Sequence, residues 1–204
     1  MKKVISLVAV FMAGNTYAQS DVKIADPEIE KFQTELNEEY RNKETTPLEP
    51  KDFRKFKGHS FYPADLTYRV VAKLIPATNP QWFSMKTTTP RTASYRVYAN
   101  AEFELNGKVF SIPVYQSADL MKMSEYADHL FFPFTDNTNG KETYSGGRFI
   151  DLHLPKSGNQ VTIDFNLAYN PLCAYSNRYS CPVVPQANHI DTEIKAGVKF
   201  VGKH

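Results

Sequence analysis

Apolar residues recur along this chain with two different periods. Ile29, Phe32, Leu36 and Tyr40 fall three and four residues apart with Glu and Lys between them, which predicts an amphipathic helix with one apolar stripe. Asp26 marks its start, since a carboxylate there can accept from the free N–H groups of the first turn. Pro27 follows at the first helical position, where no donor is lost. The Pro47 and Pro50 stretch ends the helix, and Asp52–Phe56 predicts one further helical turn. The stripe covers fewer than three heptads, so it is expected to pack on the rest of the chain and not on a coiled-coil partner.

From Tyr68 onward the period is closer to two. Tyr68–Ile75, Gln81–Lys86, Ala93–Ala99, Ala101–Leu105 and Lys108–Tyr115 read as strands, as do Leu130–Thr135, Arg148–Leu154 and Gln160–Phe165. Glu193–Val201 reads as a last strand. Asn106-Gly107 between two alternating runs predicts a type I′ hairpin, whose central residues both need positive φ. Pro113 has no N–H to give a ladder, which places it at an edge or a bulge. Ser117–His129 is helical in composition but has no stripe and reads as an excursion. The sum is a mainly β fold, an antiparallel sheet or partly closed barrel or sandwich with the N-terminal amphipathic helix lying across it.

The chain of 204 residues divides into a signal peptide (1–18), the helix with a Pro-rich linker (19–50) and a single β-rich domain (51–204). Lys2 and Lys3 precede the apolar run Val4–Ala13, and Thr16-Tyr17-Ala18 ends in small residues, the pattern of an export signal cleaved near Ala18. The run is about ten residues, whereas a spanning helix needs about 20. The only cysteines, Cys173 and Cys181, lie far from the signal, so no lipid anchor is expected. The expected product is soluble and periplasmic or secreted, with no membrane span.

Export also changes the charge argument. Lys+Arg total 24 and Asp+Glu 22; losing Lys2 and Lys3 leaves 22 of each. The basic pI of about 8.4 is therefore no argument for nucleic acid as a partner. Thirteen prolines, 12 tyrosines and 14 phenylalanines against one tryptophan favour short strands and structured loops.

The unusual chemistry is concentrated in Phe131–Cys181. Lys141, Glu142, Tyr144, Arg148 and Asp151 set three donors and two carboxylates around Gly146-Gly147, where the backbone could approach a ligand closely; a plain turn fits as well. On the strand from Arg148, alternation puts Phe149, Asp151 and His153 on one face. Asp164, if buried, needs a donor, and Arg148 is the expected partner. Asn166 would point the same way as Asp164. Asn170-Pro171 and the loop to Pro182 bring Tyr169, Tyr175 and Tyr179 around the cysteines, and tyrosine faces suit either stacking on a ring ligand or packing a Pro-rich loop. Cys173 and Cys181, with seven residues between them, suggest a disulfide in an exported protein, stabilising by roughly 2.5 kcal/mol. A metal site recruiting His189 or Asp191, a catalytic cysteine using His153 or His189 as base, or two unpaired structural thiols stay open as alternatives.

Several short motifs carry a family resemblance: Phe134-Thr135-Asp136, Gly140–Tyr144, Gly146–Asp151, Asp164–Asn166, Ala168–Pro171, Cys173–Tyr175 and Tyr179–Pro182. With Phe61–Pro63 and Tyr68–Val70 they resemble the uncharacterised bacterial proteins of domain of unknown function 1684, over roughly residues 32–197. Ala118–His129 lengthens the link that usually precedes Leu130–Pro133 in that family. The resemblance implies membership and no activity.

No Gly-x-Gly-x-x-Gly, Walker, Gly-x-Ser-x-Gly or His-Glu-x-x-His pattern is present, so no catalytic residue, metal or cofactor is assigned. Two readings follow. The first is a small-ligand-binding or structural β domain with a polar and aromatic pocket formed by residues 141–151 and 164–181. The second is a hydrolase-like enzyme with Glu142 or Asp151 as base, His153 as its partner, and Lys141 or Arg148 holding an anion. Oligomeric state is left open.

Overall fold

The computed structural model describes residues 26–200; the expected signal peptide and the end of the expected last strand lie outside them. The first helix, α1 (Pro27–Arg41), starts where the sequence says: Asp26 Oδ1 accepts from the N–H of Glu28 (3.1 Å) and of Ile29 (3.2 Å). A short second helix, α2 (Pro50–Phe53), follows the prolines.

Eight strands come next: β1 (Arg69–Pro76), β2 (Phe83–Lys86), β3 (Thr92–Leu105), β4 (Lys108–Ser117), β5 (His129–Asp136), β6 (Arg148–His153), β7 (Gln160–Asp164) and β8 (His189–Ile190). Six of them run in the order β6-β5-β4-β3-β1-β7, every pair antiparallel, and curl into a nearly closed barrel. β2 adds to β3, and β8 pairs parallel with β5. β6 and β7, the two ends of that order, both line a cleft of about 390 Å³ that marks the seam.

Two predicted strands, Ala93–Ala99 and Ala101–Leu105, are one long β3, with a register shift between Val97 and Ala99 absorbing the break in alternation. Asn106 (φ 53°) and Gly107 (φ 73°) form the expected turn into β4. Pro113 is not on an edge, because β4 lies between β3 and β5. Pro113 and Pro133 each lack a donor for the other strand. The buried amide of Asn188 compensates, donating to both proline carbonyls at 2.8 Å while Tyr115 donates to its Oδ1 at 2.7 Å. Ser117–His129 holds two short 3₁₀ turns, Leu120–Lys122 and Ser124–Tyr126.

The barrel interior is the main core, built around Phe103, Phe132, Phe134 and Phe165 with aliphatic neighbours. A second apolar layer covers the outer face of the sheet. There Met85, Tyr95, Tyr115, Phe131, Phe149 and Cys181 pack against the loop that runs from Tyr169 to Val184. β5 is buried along nearly its whole length because it lies between these layers.

The expected last strand is a correction. Ile194, Ala196 and Val198 do alternate inward, but only isolated pairing forms there, at Phe61 with Val198. The carbonyls point instead at the guanidinium of Arg148, which donates to Ile194 O (2.9 Å), Val198 O (3.4 Å) and Ala196 O. Gly197 (φ +74°) turns the chain there, and a Cβ on it would meet Phe165 O at 2.7 Å.

Candidate functional site

The ten residues singled out by the sequence divide among several separate places. Arg148 is fully buried; its Nη2 pairs with Asp136 at 2.8 Å, its guanidinium lies over the Phe134 ring, the carbonyls above accept from Nη1 and Nη2, and Nε is buried away from solvent. It therefore holds the C-terminal segment on the barrel and offers no free donor to an anion from solvent. Asp164 pairs not with Arg148 but with Arg69, at 2.6 Å, and its Oδ1 accepts from the backbone and amide of Asn166. Arg148 is taken by Asp136 and the C-terminal carbonyls and Asp164 by Arg69, so the expected ion pair does not form. Asn166 in turn clamps the backbone of Asp65 through both its amide atoms.

The turn residues form a second group. Lys141 is exposed, Glu142 faces Lys195 (3.9 Å) and Lys199 (3.7 Å), and Tyr144 packs edge-on to Phe200. Asn170 and Tyr175 are bonded to each other at 2.8 Å, and Tyr175 stacks with Tyr40 and His59 in the aromatic cluster under α1. Cys173 and Cys181 are free thiols, with the Cys173 N–H donating to Cys181 Sγ at 3.2 Å. A hydrogen bond from the Cys181 thiol lowers the pKa of Cys173, and the same bond raises that of Cys181.

That leaves Asp151 and Tyr169, and these the fold does bring together. An isolated bridge joins Phe149 of β6 to Tyr169, each N–H donating to the other's carbonyl at 2.9 and 3.0 Å. Asp151 is two residues beyond Phe149, on the same face, and Tyr169 Oη donates to its Oδ2 at 2.8 Å. Its other oxygen, Oδ1, meets His129 Nε2 at 2.7 Å. His129 reaches it diagonally across the β5–β6 ladder, in which Phe131 pairs with Asp151 and His129 with His153. The histidine expected to partner Asp151 was His153, which instead contacts Asp128 at 3.2 Å at the surface.

Asp151 sits where two cavities meet. One, of about 400 Å³, runs under α1 and is walled by Phe32, Leu36, Glu39, Phe149, Tyr169 and Leu172. The other, about 650 Å³, opens over the end of β5 between Tyr95, Tyr126, His129, Phe131, His153 and the same Tyr169 and Leu172. Both are unfilled parts of the second apolar layer. The helix stripe explains the first: its ends, Ile29 and Tyr40, are buried, while Phe32 and Leu36 in the middle are only half-buried and face the gap.

The electrostatics of the centre are defined by which atoms remain free. An ionised carboxylate only accepts, so His129 donates through Nε2 and Tyr169 through its hydroxyl. Burial, reinforced by the Asp151 charge, raises the Tyr169 phenol well above its ordinary pKa, keeping it a donor. Asp151 remains 47% exposed along its side chain, so its outer lone pairs face the cleft. His129 Nδ1 is buried without a hydrogen-bond partner among the described residues. Among the described residues no group of three His, Cys, Asp or Glu side chains is placed to hold a metal, and no helix is long and apolar enough to cross a membrane.

His129 and the α1 wall escaped the sequence reading. The alternation in the sequence predicts a strand from Leu130, one residue late, whereas in the structure His129 and Phe131 share the face that meets Asp151.

A family of proteins of unknown function, DUF1684, matches residues 54–199. A solution NMR structure of an uncharacterised protein from Haloarcula marismortui is similar at 31% identity and a TM-score of 0.68, covering 87% of this chain and 95% of that one. No curated protein matches the chain.

Proposed function

The chain belongs to the DUF1684 family, and we propose that it is an exported protein that binds a small ligand in the cleft centred on Asp151. One observation carries this: Asp151, with His129 and Tyr169 fixing its two oxygens, lies at the junction of two cavities and keeps exposed acceptor capacity. The site matches part of the expected pocket, since Phe149 and Asp151 come from residues 141–151 and Tyr169, Leu172 and Cys181 from 164–181. Its volume is in the range of small-molecule sites, apolar walls with a few convergent polar groups.

The export half of the reading rests on Lys2, Lys3, the apolar run and Ala18. It carries the sulfur chemistry with it. Adjacent thiols in an oxidising compartment form a bridge, and closing Cys173 to Cys181 would staple the loop that carries Tyr169 and Leu172. N-terminal sequencing of the full-length product, with thiol counting before and after reduction, tests this. An intact Met1 would remove the export claim, and two titratable thiols in freshly exported protein would remove the bridge.

The binding claim is tested by thermal unfolding against a panel of small metabolites. A ligand that binds the folded state raises the melting temperature with concentration. The shift is expected to vanish in Asp151→Ala and to shrink in Tyr169→Phe. A panel-wide absence of shifts would retire the cleft as a binding site. A second reading, acid–base catalysis at the same place, is favoured by the 2.7 Å contact between His129 and Asp151, with Nδ1 as the remaining proton acceptor. Turnover of chromogenic esters, phosphates or glycosides, lost in His129→Ala, would move the assignment from binding to chemistry.

A further inference from the structure

The walls of the cleft also restrict the charge of what enters it. Three fully charged side chains occur among the described residues lining the two cavities, and all are acidic: Glu39 under α1, Glu125 at the outer mouth, and Asp151 between them. Arg91, whose charge is felt by Tyr95 at the rim, has its guanidinium donating to Ser180 O at 3.0 Å, and Arg69, which shares the neighbouring seam cleft with Asp151, is paired with Asp26 and Asp164. The floor is a chain of aromatic rings meeting edge to face or tilted. Tyr95 lies 5.6 Å from Phe131, Phe131 4.8 Å from Phe149, and Phe149 6.1 Å from Tyr169.

Aromatic faces attract cations through the ring quadrupole, and more strongly where water is excluded. A carboxylate held by two donors still has lone pairs for a third. An anionic ligand would meet three like charges along these walls, where no Lys or Arg stands among the described residues. A neutral one would leave the carboxylate exposed to a partly apolar cleft without a charged partner, which wastes the strongest acceptor in the site.

We propose that the cleft takes a small organic cation: an ammonium group set against Asp151, carried on an apolar or aromatic body that lies along the rings. This rests on the reading of the cleft as a binding site. The ammonium replaces water at the outer lone pairs of Asp151, while His129 and Tyr169 hold the carboxylate in place. The body of the ligand fills the space between Phe149 and the half-buried middle of α1.

Three matched probes, titrated into the full-length protein by calorimetry, test it: benzylamine, benzyl alcohol and benzoate. Benzylamine is expected to bind at least about tenfold more tightly than benzyl alcohol, from the gain of a charge-assisted hydrogen bond. Added salt is expected to weaken the amine and leave the alcohol unchanged. Asp151→Asn should bring amine and alcohol to equal affinity, while Glu142→Gln, away from the cleft, should leave the difference intact. Equal binding of amine and alcohol to the unmutated protein would overturn the charge preference and leave the cleft standing. Preference for benzoate would do the same. If none of the three binds but neutral metabolites stabilise the protein through Asp151, the cation proposal fails alone. If neither the probes nor the metabolite panel bind, it fails together with the binding reading.

Discussion

Asp136 and Asp151 are both aspartates of the barrel strands, and each is held by a partner that lies within a few ångströms of it. They flank Arg148, one by contact and the other by three residues of sequence, yet they do opposite work. Asp136 and Arg148 are both fully buried, and every neighbour they have faces inward: Thr138, the Ile194 N–H and the three carbonyls of the C-terminal segment. Asp151 is on the other face of β6, where the second apolar layer is incomplete, and half of its side chain reaches open space. The comparison teaches that the residue types do not distinguish a structural ion pair from a candidate site. What distinguishes them is whether hydrogen-bonding capacity is left over, and whether that capacity faces a cavity.

The comparison can be broken from the structural side first. Arg148→Met removes the charged partner of a buried carboxylate, and such losses cost about 3–5 kcal/mol. Urea unfolding should show that loss, and Arg148→Met with Asp136→Asn should recover part of it, because the stranded charge is gone. A change near zero in the single variant would mean that the pair does not anchor the C-terminal segment.

The wall of the cleft is expected to respond to acid. Burial, and then the charge of Arg41, pull the His59 imidazole down from 6.5 to about 4. Its Nδ1–H and the His59 backbone N–H both donate to Asn37 Oδ1 on α1, at 3.0 and 2.7 Å. A lowered folded-state pKa means that the unfolded chain takes up the proton first. Stability is therefore complete above about 6.5 and falls as pH drops towards about 4, by on the order of 2–3 kcal/mol. Thermal melts across that window should show the decline, and His59→Phe should flatten it. A flat profile in the unmutated protein would mean that acid does not act on α1 through this residue.

The smallest stability effect is expected at the candidate site itself. Asp151→Asn keeps the shape and one acceptor of a half-exposed group, so unfolding should shift by about 1 kcal/mol or less. The same change should remove the preference for a cation. A loss as large as that of Arg148→Met would place Asp151 among the structural pairs and erase the distinction drawn above.

How much of this the sequence shows differs by length scale. The start of α1 at Asp26-Pro27, its stripe, and the Asn106-Gly107 hairpin are local, and each is set by residues within a turn of one another. The alternation of Phe149, Asp151 and His153 on one face of β6 is equally local. Partners are not. Arg69 takes Asp164, and Arg148 takes Asp136 and the carbonyls of residues 194–198, because sheet order decides who meets whom and the sequence does not print that order. His129 illustrates the same limit. It faces Asp151 through the register of two antiparallel strands, and one residue of slip would have turned it to the other side. The cavity under α1 is further from reach, since it exists through what the helix fails to cover.

The seam between β6 and β7 bears on how copies of this chain behave towards each other. A strand at the end of a sheet presents unpaired backbone groups that can recruit a strand from another molecule. Here the two ends of the sheet order line the same narrow cleft, with Arg69, Asp164 and His153 beside them. An intruding strand would have to enter between them and displace charged side chains to reach either edge. With the barrel almost shut, the outer backbone edges of β6 and β7 face each other across that cleft and are shielded from a strand of another molecule.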